Sequence, residues 1–120
     1  MGVARRTVLI VDDHEGFRIA ARSLLEAEGF TIVGEAADGR DALVEVERLR
    51  PDVVLLDIQL PDIDGFTLAD SLATTVSAPE VVLISSRDAV TYGARLTNAA
   101  ARGFLAKREL SGAALARVLA

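Results

Sequence analysis

The chain has 120 residues, enough for a single domain with its own hydrophobic core. Its 13 basic and 18 acidic residues give a net charge of −5, so the chain alone is poorly suited to binding nucleic acid. The chain has no cysteine, which excludes disulfides and thiolate metal sites, and its single histidine excludes a multi-histidine site. A bound metal would therefore have oxygen ligands, as Mg²⁺ or Mn²⁺ prefers.

Short apolar runs alternate with amphipathic stretches from the start of the chain. Thr7–Val11 predicts a first strand, and apolar residues at helical spacing predict a helix over 15–28. We expect a second strand at Thr31–Ala36 and a second helix that begins at Asp38-Gly39 and stops before Pro51. The inward faces of the two helices are predicted to be formed by Phe17, Ala20, Ala21, Leu24 and Leu25 in the first and by Ala42, Leu43, Val46 and Leu49 in the second.

The second half of the chain continues this alternation. The remaining strands are expected at Asp52–Asp57, Glu80–Ser85 and Gly103–Lys107. Helices are expected over 66–75 and from about Ser111. Residues 88–100 predict only a weak helix, because Gly93 costs about 1 kcal/mol relative to alanine in a helix interior.

Strands that are apolar along their whole length and alternate with helices predict a parallel sheet covered on both faces, an α/β fold. Right-handed crossovers and five strands favour the open, flavodoxin-like (βα)5 sheet with strand order 2-1-3-4-5. The carboxyl ends of parallel strands share one edge of the sheet, where ligands bind. The polar residues expected at this edge are Asp12, Asp13, Asp57, Ser85 and Lys107.

The three acids at this edge predict a divalent metal site. Strands one and three are neighbours in the expected order, so one Mg²⁺ can reach Asp12, Asp13 and Asp57. Without a cation the carboxylates would repel one another, and some would be driven to protonate. Taken singly, each acid also fits an ordinary helix or loop cap.

The same edge carries the groups that phosphoryl transfer needs. Asp57 can act as a nucleophile and form an acyl phosphate, whose charge Lys107 would offset. Ser85 offers a hydroxyl donor, and the small Ser86 leaves the phosphate site accessible. Lys107 alone would fit a solvated strand-end lysine and Ser85 an ordinary turn residue, so the prediction depends on the set.

Four segments resemble the response-regulator receiver domain of two-component signalling, and the resemblance extends over essentially the whole chain. They read VLIVDDH at 8–14, PDVVLLDIQLPDIDG at 51–65, VVLISS at 81–86 and GFLAK at 103–107. The roles that the resemblance implies are phosphoacceptor for Asp57, Mg²⁺ ligands for Asp12, Asp13, Asp57 and the Gln59 backbone carbonyl, phosphate binding for Lys107 and Ser86, and a switch formed by Ser85 and Phe104. Phe104 has no hydroxyl, so its part in the switch would be steric.

A receiver domain implies a sensor histidine kinase as partner and a self-phosphorylating switch rather than a turnover enzyme. In having Arg108 after Lys107, the sequence resembles receivers that carry a LuxR-type output domain. We therefore expect residues 1–120 to be one receiver domain, with DNA bound only through an output domain outside this chain and a homodimer formed on phosphorylation. No apolar run approaches the roughly 18 residues of a membrane span, so we expect a cytoplasmic protein without membrane contact.

Three alternatives remain at this stage. A hydrolase with an aspartyl nucleophile would share the acidic loop, but Gln59 stands where such an enzyme has its second acid. A flavodoxin-like cofactor binder would need a phosphate-binding loop after strand one, where this sequence has two acids. A degenerate receiver that only mediates protein contacts would not need the complete set of Asp, Ser and Lys.

Overall fold

The computed structural model describes residues 6–120. The strands are β1 Thr7–Val11, β2 Thr31–Ala36, β3 Val53–Asp57, β4 Glu80–Ser85 and β5 Gly103–Ala106. The helices are α1 Glu15–Ala27, α2 Gly39–Leu49, α3 Gly65–Ala73, α4 Ala89–Tyr92, α5 Ala94–Thr97 and α6 Gly112–Leu119, with a 3-10 turn at Lys107–Glu109. No helix within the described range is long and apolar enough to cross a membrane.

The five strands form one parallel sheet in the order β2-β1-β3-β4-β5, which confirms the predicted topology. The central strand β3 is buried along its whole length, as expected for a strand with helices on both faces. One core packs α2 and α3 on the sheet and contains Leu56 and Leu68. The other packs α1 and α6 on the opposite face and contains Leu25 and Leu115.

The inward faces of the first two helices are narrower than predicted. In α1, Ala21 and Leu25 are buried and Phe17 is half-buried, whereas Ala20 and Leu24 are exposed. Helix α1 therefore contacts the sheet along a single stripe at i, i+4 and i+8. The prediction that Ala20 and Leu24, at i+3 and i+7, face inward is wrong. Leu43 of α2 is also exposed, in contrast to the prediction, while Ala42 and Val46 are buried.

The segment after β4 is the most irregular part of the fold. Helices α4 and α5 have four residues each and meet at Gly93, whose φ of 55° lies in the left-handed region that glycine tolerates. The predicted interruption at Gly93 is confirmed. Two predicted strand boundaries are wrong by one residue, because β3 begins after Asp52 and Lys107 belongs to the 3-10 turn instead of β5.

Candidate functional site

Two carboxylates are buried where the central strands end. Val11 pairs with Leu56 in the parallel register of β1 and β3, so the next residues, Asp12 and Asp57, lie side by side. Asp12 is 0% exposed and Asp57 is 3% exposed. The Asp12 amide extends the pairing by donating to the Ala36 carbonyl oxygen at 3.0 Å. Strand geometry therefore fixes the positions of both acids.

Asp13 and His14 lie on the exposed side of this pair. The His14 amide donates to Asp12 Oδ1 at 2.8 Å, and the ring Nδ1 lies 3.2 Å from Oδ1 of both Asp12 and Asp13. Ligand atoms of Asp12, Asp13, His14 and Asp57 all lie within 4.8 Å of one another. The cluster is therefore compact enough to hold a single metal ion.

Lys107 brings a positive charge to the buried acids. Its Nζ lies 2.6 Å from Asp12 Oδ2 and 3.3 Å from Asp57 Oδ2. The ammonium also lies 4.6 Å from the centroid of the Phe17 ring, a cation–π contact that shields it on the α1 side. Lys107 therefore bridges two carboxylates that are separated by 45 positions in the chain.

The surroundings shift the pKa of both Asp57 and Lys107. Burial raises the pKa of Asp57 and the charge of Asp12 adds to this, although the Gln59 amide opposes it by donating to Asp57 Oδ1 at 3.0 Å. Burial alone would lower the pKa of Lys107, but the close ion pair with Asp12 and the charge of Asp57 raise it above its ordinary value. Lys107 is thus held as a cation beside two buried acids, and burial makes one of them, Asp57, reluctant to ionise.

The oxygen atoms of this cluster fit a hard divalent cation. Among the described residues, the buried Asp12 Oδ2 has no hydrogen-bond partner of proper geometry, and Lys107 Nζ approaches it only as an ion pair. Three carboxylates with one lysine leave negative charge that a second cation would neutralise. The acidic cluster could therefore hold a metal ion at Asp12, Asp13 and Asp57.

Ser85 reaches the same edge from β4. Asp57 pairs with Ile84 in the register of β3 and β4, which puts Ser85 one residue further along the neighbouring strand. Ser85 is fully buried, and its Oγ lies 2.6 Å from the Tyr92 hydroxyl oxygen and accepts from the Arg87 amide at 3.0 Å. The predicted edge therefore forms, but the Ser85 hydroxyl is engaged by Tyr92 in this structure.

The family assignment follows from comparison with known proteins. The sequence profile of the response regulator receiver domain matches residues 8–118. This chain belongs to the response regulator receiver family. The resemblance drawn from the four sequence segments is confirmed.

Relatives of this receiver domain include transcription regulators. A transcriptional regulator of Pseudomonas aeruginosa is 41% identical over 102 residues, which cover 85% of this chain and 49% of the relative. This chain thus spans about half the length of that relative. The signal receiver domain of the response regulator NarL from Mycobacterium tuberculosis has a TM-score of 0.84 and 31% identity, over 98% of each chain. A LuxR-family response regulator from Aurantimonas has a TM-score of 0.82 and 25% identity, over 95% of this chain and 81% of that chain.

The receiver domain supports Asp12 with an ion-pair network that the sequence analysis missed. Arg18 of α1 donates to the Asp12 carbonyl oxygen at 2.6 Å and to Glu35 Oε1 at 3.0 Å. Arg22 donates to Glu35 Oε2 at 2.8 Å, and these two arginines together hold the pKa of Glu35 below its ordinary value despite burial. The signal for this network was present, because a glutamate inside a short strand needs a partner and arginines at i and i+4 on the preceding helix can supply one.

The loop after Asp57 is held in place from two sides. Gly65 packs so closely that a Cβ there would lie 2.6 Å from both the Asp57 carbonyl oxygen and the Ile58 Cα. Asp62 accepts from the amides of Gly39 and Arg40 at 2.8 and 3.0 Å, which ties the loop to the start of α2. The backbone around Asp57 is therefore fixed by packing as well as by the sheet.

The remaining predicted site residues lie around this centre. Ser86 is exposed beyond Ser85, and the Gln59 amide contacts Asp57, while the role of the Gln59 carbonyl remains a prediction. Phe104 is half-buried, and its ring centroid lies 6.2 Å from that of Tyr92. Tyr92, which the sequence analysis treated only as part of a weak helix, therefore stands between the two predicted switch residues.

Proposed function

We propose that this receiver domain accepts a phosphoryl group on Asp57 from a sensor histidine kinase or a small phosphodonor and works as a signalling switch. The observation that carries the proposal is the contact of Lys107 with both Asp12 and Asp57 at the buried strand ends. A lysine that served only to stabilise the fold would need no more than one ion pair with an acid at the surface. A half-buried cation between two buried acids matches a centre that must receive a further anionic group.

In the proposed reaction, an Asp57 carboxylate oxygen attacks phosphorus and forms an O–P bond. The P–N bond of a phosphohistidine, or the P–O bond of an acyl phosphate, breaks, and the electron pair departs with the leaving group. Lys107 then turns to a phosphoryl oxygen and offsets its charge, while Ser85 donates a hydrogen bond to another. Ser86 lines the open side. Attack of water on the phosphoryl group later releases phosphate and restores the Asp57 carboxylate.

A divalent cation would be held by Asp12, Asp13, Asp57 and the backbone carbonyl of Gln59. The observation that supports this is the buried Asp12 Oδ2, which lacks a hydrogen bond of proper geometry among residues 6–120. Mg²⁺, or Mn²⁺ in its place, would supply charge neutralisation for the acids and the incoming phosphoryl oxygens. Within the chain, Asp12 and Asp13 serve to anchor that charge beside Asp57.

The output of the switch is proposed to be control of transcription in the cytoplasm. The transcriptional regulator of Pseudomonas aeruginosa and the LuxR-family structure support this proposal. DNA would be bound by an output domain outside residues 1–120, and phosphorylation would favour a homodimer. The domain would act as a self-phosphorylating and self-dephosphorylating switch rather than as a turnover enzyme.

The proposal is tested by incubating the chain with acetyl phosphate and Mg²⁺ and measuring its intact mass. We expect one phosphoryl adduct, which is absent in Asp57→Ala and absent when EDTA replaces the metal. Asp70→Ala is the matched control, because Asp70 is an exposed acid on α3, and it should form the adduct normally. An adduct that survives in Asp57→Ala, or rapid turnover of generic phosphate esters without an adduct, would refute the proposal.

A further inference from the structure

The contact between Ser85 and Tyr92 has no role in the reaction described so far. The two hydroxyl oxygens lie 2.6 Å apart, and Ser85 is fully buried. Tyr92 is the last residue of α4, a helix of one turn without a buried residue. A buried side chain is thus joined by a short hydrogen bond to a weakly anchored segment of the surface.

Two hydrogen bonds hold the Ser85 hydroxyl in this structure, and either oxygen can be the donor in the one with Tyr92. Ser85 Oγ already accepts from the Arg87 amide at 3.0 Å, and its second hydrogen bond is made with Tyr92. A serine has one O–H donor, which must point to a phosphoryl oxygen if it is to stabilise phosphorylated Asp57. The Tyr92 hydroxyl therefore opposes that contact: as acceptor it takes the Ser85 hydrogen, and as donor it holds Ser85 Oγ in its present orientation.

The ring of Tyr92 connects this hydrogen bond to other aromatic residues. Its centroid lies 5.7 Å from that of Phe66, with an angle of 63° between the two ring planes, and 6.2 Å from that of Phe104. Arg95 of α5 stacks on the Phe66 ring, with its guanidinium carbon 4.3 Å from the ring centroid. A displacement of Tyr92 would consequently disturb contacts made from α3, α5 and β5 together.

We infer that Tyr92 is a positioning residue whose hydroxyl holds Ser85 in the unphosphorylated arrangement, and that phosphorylation of Asp57 releases Tyr92 together with α4. This inference rests on the proposed function and adds a residue to it. The phosphoryl group gains the Ser85 hydroxyl, and the Tyr92 hydroxyl turns to solvent or another partner. The event at Asp57 is thereby transmitted to the surface around Gly93, where the left-handed backbone separates two single-turn helices.

The test compares the rate of adduct formation with acetyl phosphate and Mg²⁺ in four chains: the wild type, Tyr92→Phe, Ser85→Ala and the double variant. Tyr92→Phe keeps the ring and its packing and removes only the competing hydroxyl. We expect it to form the Asp57 adduct roughly two- to tenfold faster than the wild type, the range of one ordinary hydrogen bond. On the Ser85→Ala background the same change should have no effect, because the bond is already absent.

The matched control is Thr91→Val, which removes an exposed hydroxyl from the same turn of α4 and should leave the rate unchanged. Far-UV circular dichroism checks that each variant is folded. If Tyr92→Phe reacts at the wild-type rate, or changes the rate equally with and without Ser85, the inference is refuted while the proposed function stands. If the wild type forms no adduct, both are refuted.

A second measurement uses the wild type alone. Tyr92 is the only tyrosine and the chain has no tryptophan, so near-ultraviolet emission reports on this side chain directly. Mg²⁺ with beryllofluoride, a mimic of the phosphoryl group, should change the emission of the wild type and not that of Asp57→Ala. An unchanged emission in a wild-type sample that carries the adduct would refute the release of Tyr92.

Discussion

Lys107 Nζ lies closer to Asp12 Oδ2, at 2.6 Å, than to Asp57 Oδ2, at 3.3 Å. The lysine therefore makes its shorter contact with Asp12, which is proposed to hold the metal, and its longer contact with Asp57, the proposed phosphoacceptor. A metal ion and Lys107 would compete for Asp12, and binding of the metal would free the ammonium to approach Asp57. The metal and Lys107 would then both offset the negative charge of the incoming phosphoryl group.

The first prediction follows from this competition. Lys107→Ala should bind Mg²⁺ roughly tenfold more tightly than the wild type, because one competing charge a few ångströms away is lost. The same variant should be phosphorylated about 100-fold more slowly, since the phosphoryl charge is no longer offset. Calorimetric titration with Mg²⁺ and the acetyl phosphate assay measure the two effects. Arg117→Ala, which removes an exposed positive charge from α6, is the control and should change neither the Mg²⁺ affinity nor the phosphorylation rate. If Lys107→Ala bound Mg²⁺ as tightly as the wild type or more weakly, the competition would be contradicted.

The second prediction concerns the cost of burying Asp57. Its pKa is raised, mainly by burial, so the ionised carboxylate destabilises the fold at neutral pH in the absence of a metal. Asp57→Asn should therefore raise the free energy of unfolding by on the order of 1 kcal/mol at pH 7 in EDTA. This gain should fade as the pH falls through the raised folded-state pKa of Asp57, and it should be gone below the ordinary carboxyl value of 3.8, where Asp57 is neutral in both states.

Urea unfolding at several pH values measures this difference. Saturating Mg²⁺ should reduce it, because the metal stabilises the folded wild type more than the variant. Asp70→Asn, an exposed acid on α3, serves as the control and should be close to neutral. A destabilised Asp57→Asn in EDTA would show that the buried carboxylate contributes to stability and would contradict the prediction.

The third prediction concerns the Glu35 network. The pKa of Glu35 is below its ordinary value of 4.5, because its hydrogen bonds with Arg22 and Arg18 outweigh burial. The stability that it contributes is thus present above pH 4.5 and is lost as the pH falls through the folded-state pKa. Glu35→Gln should lower the free energy of unfolding by about 1 kcal/mol at pH 7, and the difference should shrink in acid. A difference that stays constant down to the acid transition would contradict the assignment.

The fourth prediction compares two glycines. Gly65→Ala should destabilise the fold by at least ~2 kcal/mol, because the new Cβ would lie 2.6 Å from backbone atoms of Asp57 and Ile58. Gly16→Ala meets nothing within 4 Å and should stabilise α1 by about 0.5 kcal/mol. Thermal unfolding measures both changes. An equal effect at the two positions would show that the loop after Asp57 adapts freely, against the packing described above.

The strand ends could be predicted from the sequence, and with them the meeting of Asp12, Asp57, Ser85 and Lys107. Apolar runs specify where parallel strands stop, and the topology brings their carboxyl ends together whatever the spacing in the chain. The width of a helix face could not be predicted in this way. Leu24 satisfies the periodicity of α1 yet is exposed, because only the stripe of Phe17, Ala21 and Leu25 packs on the sheet.

The sequence pattern also could not predict which side chains contact one another across the fold. The hydrogen bond of Ser85 with Tyr92 depends on the path of the chain between β4 and the end of α4, which no periodicity encodes. The ion pair of Arg108 with Asp88 likewise joins two loops whose approach only the folded chain defines. Such contacts are specific to the arrangement of loops, which is why the predicted switch of Ser85 with Phe104 omitted the tyrosine between them.

The central claim is that Asp57 carries the phosphoryl group, and chemical mapping of the modified residue tests it most directly. After reaction with acetyl phosphate and Mg²⁺, borohydride reduces an acyl phosphate of aspartate to homoserine, which tandem mass spectrometry locates in the chain. We expect homoserine at position 57 and at no other acid, and none when Mg²⁺ is omitted. Homoserine at position 12 or 13, or a phosphoryl group found on a serine, would contradict the claim.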